Sequence, residues 1–174
     1  MQIALAAAQD VAAVAKIYDP ASDFFERDVH YCAPNWKKGV YPTIHDAQRA
    51  FEKESLFVLK IDGEAAGAMC IDHEAHPEYQ KIAWSVQALP QETWVVHTLG
   101  IGPACRRRQL GEKMVQFAIG LCGAMGAKTI RLDTHYRNVP ARRLYEKCGF
   151  QSLGVWKALV NGEAQEFDVF EYLF

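Results

Sequence analysis

Three consecutive arginines, Arg106, Arg107 and Arg108, stand where an apolar run from Trp94 to Ile101 gives way, through Pro103, to a helical pattern. A helix that starts this way leaves its first backbone N–H groups without acceptors, and the helix dipole adds partial positive charge there. Such a junction suits a phosphate or pyrophosphate. The cluster could instead be a solvated helix start or a nucleic-acid patch, but three basic residues in a chain of net charge -2 are poor support for nucleic acid. His97 interrupts the apolar strand just before this junction. An imidazole there can exchange a proton near neutral pH, or simply bond a carbonyl in the core. Further on, Asn138, Ala141 and Tyr145 recur at i, i+3 and i+7 and share one helix face. At the usual rise Tyr145 stands ~10 Å beyond Asn138. A tyrosine so placed is either a half-buried packing residue or a phenol offered to a ligand.

The elements that must position these groups follow from the pattern. Gln2 to Ala6 reads as a strand and Ala8 to Tyr18 as a helix, followed by an irregular aromatic stretch over 19–43. Thr43 is a good N-cap for a helix over IHDAQRAFEKE. Leu56–Ile61 and Ala66–Ile71 are strands joined at Asp62-Gly63, a hairpin signal. Residues 72–92 read as a loop or short strand, and Thr93–Ile101 as a strand. A helix is expected from Arg107 to about Met125, with Leu110, Met114, Phe117, Leu121 and Met125 on one face. A strand over Thr129–Asp133, a helix over Asn138–Lys147 and two strands flanking Asn161-Gly162 complete the chain. The alternation from 93 to 158 is the pattern of a parallel core, to which the hairpins add antiparallel strands. No repeat, linker or low-complexity tract divides the sequence, so 1–174 reads as one mixed α/β domain.

Composition bounds the function. The 174 residues are 50% hydrophobic and 23% charged, as in ordinary globular domains. No apolar run approaches the ~20 residues of a membrane span. The first residues lack a basic n-region and carry Asp10 and Lys16 within the apolar stretch, so no signal peptide is expected and the cytoplasm is the expected location. Five scattered cysteines without C-x-x-C or paired Cys/His spacing support neither a disulfide framework nor a zinc site. No metal is implied.

Two segments carry a family resemblance. HTLGIGPACRRRQLG is similar to a strand followed by Pro-x-x-Arg-x-x-Gly-x-Gly and a helix. Asn138-Val-Pro-Ala141-Arg-Arg-Leu144-Tyr145-Glu-Lys-Cys-Gly149-Phe150 matches Asn-x-x-Ala-x-x-Leu-Tyr-Glu-Lys-x-Gly-Phe almost unbroken. In this order they resemble the GCN5-related N-acetyltransferase (GNAT) superfamily. The first glycine of the Gly-x-Gly pair is Gln109 here, so the chain departs from the motif where glycine would let the backbone approach a phosphate. The resemblance implies a central, mostly antiparallel sheet with a parallel pair at a splayed cofactor site and helices on both faces. It implies that acetyl-CoA is the co-substrate. Its pyrophosphate would rest on Arg106, Arg107, Arg108, Gln109, Leu110, Gly111 and Glu112. Its pantetheine arm would lie along the main chain of Leu99 and Ile101, with Asn138 and Ala141 beside it. Tyr145 would protonate the leaving thiolate, and His97 or a water would deprotonate the amine.

The expected reaction is transfer of acetyl to a primary amine, with a small molecule as first expectation for the acceptor. A protein N-terminus or lysine is the alternative acceptor, and a non-catalytic acyl-CoA sensor the alternative of another class. No nucleic-acid or membrane partner is expected, and a homodimer is compatible with the sequence. The irregular segments 23–41 and 72–92 are expected to hold the acceptor. The first carries Phe24, Phe25, Tyr31, Trp36 and Tyr41 with Asp23, Glu26 and Asp28; the second carries Asp72, Glu74 and Glu78.

Overall fold

Strands that bury apolar residues on both sides assemble into one sheet with helices on both faces. The computed structural model describes residues 1–27, 36–160 and 163–174. In chain order these form β1 (Gln2–Leu5), α1 (Asp10–Arg27), α2 (Ile44–Glu52), β2 (Leu56–Ile61), β3 (Glu64–Asp72), β4 (Thr93–Ile101), α3 (Leu110–Ala124), β5 (Thr129–His135), α4 (Val139–Lys147), β6 (Gln151–Val160) and β7 (Glu163–Leu173). Short 3-10 turns occupy Pro77–Lys81, Pro90–Glu92 and Pro103–Cys105. The seven strands lie in the order β1-β2-β3-β4-β5-β7-β6. All neighbours are antiparallel except β4 and β5.

Two expectations are corrected. Helix α1 does not stop at Tyr18 but continues through Pro20 to Arg27. A proline removes one i→i−4 hydrogen bond and crowds one carbonyl, which can bend a helix without ending it. The strand after α4 does not extend a parallel core either. β7 inserts between β5 and β6, so parallel pairing is confined to β4–β5. The turn expected at Asn161-Gly162 lies outside the described residues.

The two faces of the sheet bury separate cores. Leu110, Met114, Val115, Ala118 and Cys122 of α3 pack with Tyr145 of α4 over Leu59, Met69, Val96, Ile130, Leu132 and Phe170. On the other face Val11, Val14 and Tyr18 of α1 and Ala47 and Ala50 of α2 cover Leu56, Val58 and Ala68. The Thr43 cap forms as expected: Thr43 N–H and hydroxyl both donate to Asp46 at 2.8 Å.

The sheet opens in its middle. β4 pairs with β5 only through Thr93–Val95 opposite Thr129–Arg131, whereas β5 stays paired to β7 as far as His135. Beyond Val95 the facing edges of β4 and β5 diverge, which leaves main-chain groups of both strands without a neighbour strand. A bulge in the β3–β4 ladder accompanies the divergence. Ala68 pairs with Gly100 and Cys70 with His97, so Thr98 and Leu99 together face Met69. Bulges of this kind bend a strand and re-aim its side chains. Thr98 sits there at φ +48°, a rare conformation for a β-branched residue. It accepts a hydrogen bond from Tyr18 at 3.2 Å and donates one to Cys70 Sγ at 3.1 Å.

Candidate active site

The turn after β4 presents unpaired backbone N–H groups. Helix α3 starts at Leu110, three residues later than its periodicity implies, because Arg107 and Gln109 both take left-handed φ, +60° and +58°. Lys113 N–H is the first to bond back, to Gln109 O at 3.2 Å. The N–H groups of Leu110, Gly111 and Glu112 therefore have no acceptor within the helix. Gln109 in the left-handed region followed by helical Leu110 turns successive N–H groups toward one concavity, a nest for a phosphate oxygen. Gln109 thus adopts the backbone geometry that glycine would favour at its place in the motif. Gln109→Gly is expected to raise Tm. The left-handed conformation costs a non-glycine residue ~1–2 kcal/mol, and glycine's extra freedom in the unfolded chain offsets about half of that. Affinity for acetyl-CoA should be no weaker.

The side chains of this turn divide by role. Arg107, Arg108 and Gln109 are exposed, whereas Leu110 is buried in the core under α3. Gly111 lets α4 approach: a Cβ there would stand 3.2 Å from Leu144 Cδ2. Glu112 forms an ion pair with Lys147 of α4 at 2.6 Å, so its carboxylate is neutralised beside these unpaired N–H groups.

Between the diverging strands lies a cavity of about 110 Å³, bordered by Val96, Leu99, Asn138, Ala141, Tyr145 and His135 among others. Ile101 does not border it but continues β4 toward the turn. Asn138 caps α4, accepting from Ala141 N–H at 3.4 Å, and donates to Thr134 Oγ1 at 3.2 Å. One lone pair and one N–H of its amide remain for a ligand. The ring of Tyr145 is wedged against Phe150 and Phe170, at 6.0 and 5.5 Å between centroids. Its hydroxyl forms no hydrogen bond among the described residues while the residue borders the cavity. Burial pushes this phenol well above its ordinary value, so it stays protonated.

On the opposite side of the same opening is a chamber of about 680 Å³. His97, Thr98, Tyr41 and Asp133 border both spaces, so the two meet at these residues. His97 Nε2 lies 3.1 Å from Asp72 Oδ1, at the end of β3. With Nε2–H donated to this carboxylate, Nδ1 is left as the proton acceptor. Burial alone would raise the Asp72 pKa, but His97, the Glu74 N–H and Lys53 together outweigh it and the carboxyl is lowered. Asp133, on β5, accepts a hydrogen bond from Tyr79 at 2.5 Å. Burial raises its pKa despite that bond.

Sequence reasoning singled out His97 and Tyr145, and the fold brings them to one opening. It did not single out Thr98, Tyr79 or Asp133 as site residues. Asp133 carried a signal, since it ends a strand on the side where α/β sites gather. Asp72 and Glu74 border the chamber as the loop reading expected, but Glu78 pairs with Lys81 instead. Trp36 packs edge-on against Tyr18 at 5.7 Å and borders the smaller cavity, and Tyr41 borders both. Phe24, Phe25 and Tyr31, with Asp23, Glu26 and Asp28, lie outside the residues whose side chains are described.

A model of the acetyltransferase (GNAT) family matches residues 15–150, and the chain belongs to that family. As a member, it is an N-acetyltransferase that uses acetyl-CoA as co-substrate and an amine as acceptor. It is 29% identical over 113 residues, 64% of this chain and 72% of the relative, to a Bacillus subtilis (strain 168) protein provisionally named a ribosomal protein bS18-alanine N-acetyltransferase. Among solved structures it resembles a GNAT-family acetyltransferase from Streptococcus agalactiae 2603, with a TM-score of 0.82 at 20% identity, covering 99% of this chain and 95% of that one. It also resembles a Salmonella typhimurium protein, provisionally named an acetyltransferase and solved with acetyl-CoA, with a TM-score of 0.71 at 18% identity, covering 99% and 93%. Both share the fold. The chain's own features fit the co-substrate: unpaired edges where β4 leaves β5, a nest at the α3 N-terminus, and an unbonded hydroxyl between them. No helix among the described residues is long and apolar enough to cross a membrane.

Proposed function

We propose that residues 1–174 act as one catalytic unit that moves acetyl from acetyl-CoA directly to the primary amine of a small molecule held in the chamber. The observation that carries this reading is the meeting of two spaces at His97 and Asp133, one between the splayed strands and one large enough for a small acceptor. Acetyl-CoA supplies the activated acetyl group. Backbone N–H groups of the 106–112 turn hold its pyrophosphate, with the arginines adding charge. The open edge at Leu99 and Ile101 takes its amide arm, and Asn138 and Ala141 flank it. His97, oriented by Asp72, removes the proton that the acceptor ammonium must lose before its nitrogen can attack. Tyr145 donates its hydroxyl proton to the sulfur as the C–S bond breaks.

A protein amino terminus is the second reading, favoured by the name of the Bacillus subtilis relative. Thiol release from acetyl-CoA, measured with small primary amines and with alanine-ended peptides, separates the two. The proposal expects turnover with small amines. Turnover with peptides alone would overturn it. With a working acceptor, His97→Ala is expected to flatten the acid limb of the kcat/KM profile; an unchanged limb would remove His97 as base and leave deprotonation to water.

A further inference from the structure

We propose that Asp133 anchors the ammonium group of the acceptor, and that the chamber consequently selects primary amines that have an apolar body and no carboxylate beside the amine. This rests on the reading of the chamber as the acceptor site, and it names what that site prefers.

The carboxylates around the chamber are not equivalent. Asp46 is paired with Arg49 at 2.8 Å and Glu74 with Lys53 at 2.5 Å, while Asp72 accepts two N–H bonds, from His97 at 3.1 Å and from the Glu74 backbone at 2.8 Å. Asp133 has no ion pair among the described residues; its one hydrogen bond comes from the neutral hydroxyl of Tyr79. His97 and His76 face it, but the first is bonded to Asp72 and the second accepts the N–H of Glu78. An enclosed carboxylate normally acquires a partner of opposite charge. Here the carboxylate borders the space open to the acceptor, at the point where that space reaches Tyr145's cavity. A bound ammonium would supply the missing charge and would stand next to His97.

The walls argue for the rest of the acceptor. Tyr79, Trp156 and Phe167 border the chamber and contact one another, with centroids 6.1 and 6.2 Å apart along the series. They offer apolar area and ring faces that attract cations. An α-carboxylate, by contrast, would be carried within a few bonds of the amine, against both Asp133 and Asp72. Arg49 and Lys53 do not relieve that repulsion, because each is already paired and has an exposed side chain.

Calorimetric titration of the full chain tests this with three matched probes: 2-phenylethylamine, phenylalanine and the uncharged 2-phenylethanol. The amine is expected to bind at least tenfold tighter than either of the other two. Asp133→Asn should reduce amine affinity at least tenfold, with acetyl-CoA affinity within twofold. Trp156→Ala, on an edge strand, should also weaken the amine without affecting acetyl-CoA. The ligand comparison needs only the wild-type protein, so it stands even if Asp133→Asn fails to fold. Equal affinity for amine and amino acid, equal affinity for amine and alcohol, or no binding of any probe to a protein that binds acetyl-CoA would overturn the inference. Failure of acetyl-CoA itself to bind would instead overturn the enzyme reading beneath it.

Discussion

Tyr145→Phe is expected to lower kcat by a factor on the order of 10² to 10⁴, the range associated with loss of a positioned acid. The hydroxyl makes no hydrogen bond among the described residues, so its removal leaves no partner unsatisfied. The ring contacts with Phe150 and Phe170 persist in the variant. Stability and acetyl-CoA affinity should therefore barely change while turnover collapses. That split identifies an interaction made in the transition state rather than in binding. It is measured by steady-state kinetics together with calorimetry of acetyl-CoA. Undiminished kcat would return Tyr145 to the role of a packing residue.

Glu171→Ala is expected to destabilise the protein by about 3–5 kcal/mol, the usual result of removing one partner of a buried ion pair. Glu171 is 1% exposed. It accepts from Ser85 N–H at 2.7 Å, Arg131 Nε at 3.1 Å and Thr129 Oγ1 at 3.2 Å. Arg131 in turn donates to Val86 O at 2.9 Å and lies 4.4 Å over the ring of Trp84. One carboxylate thus fastens residues 84–86 onto β5 and β7. Trp84 also donates to Tyr79 O at 2.9 Å, so the fastening extends to a wall of the 680 Å³ chamber. Denaturant unfolding measures the loss, and Glu171→Gln, which keeps an acceptor oxygen, should lose less. In protein that remains folded, KM for the acceptor should rise more than KM for acetyl-CoA.

The parts of this molecule that were legible in its sequence are those governed by local rules. Alternating or continuous apolar runs marked all the strands, Thr43 marked its helix, and the Asn138–Phe150 segment marked the family. Long-range pairing was not legible. Nothing local in 151–173 says that β7 rather than β6 lies beside β5, because the choice depends on how two faces of the sheet bury their apolar residues. The stretch from 19 read as irregular, although the helix runs on through Pro20 to Arg27. Gln109 read as a loss relative to glycine, yet its φ of +58° preserves the turn. His97 and Tyr145 were legible because each breaks or completes a pattern. Thr98 was not, since its role arises from a bulge, and Asp133 was legible only as a strand end, its place at the opening being set by where the β4–β5 pairing stops.

The central claim is direct transfer between two adjoining sites, and the pattern of initial velocities tests it most directly. Rates measured over a grid of acetyl-CoA and acceptor concentrations should give intersecting double-reciprocal lines, since both substrates must be present together. Parallel lines, with an acetylated protein trapped in the absence of acceptor, would contradict the account. Cys70, which alone of the cysteines among the described residues borders the chamber, is a poor candidate for such an intermediate, because burial pushes its thiol up to about 11.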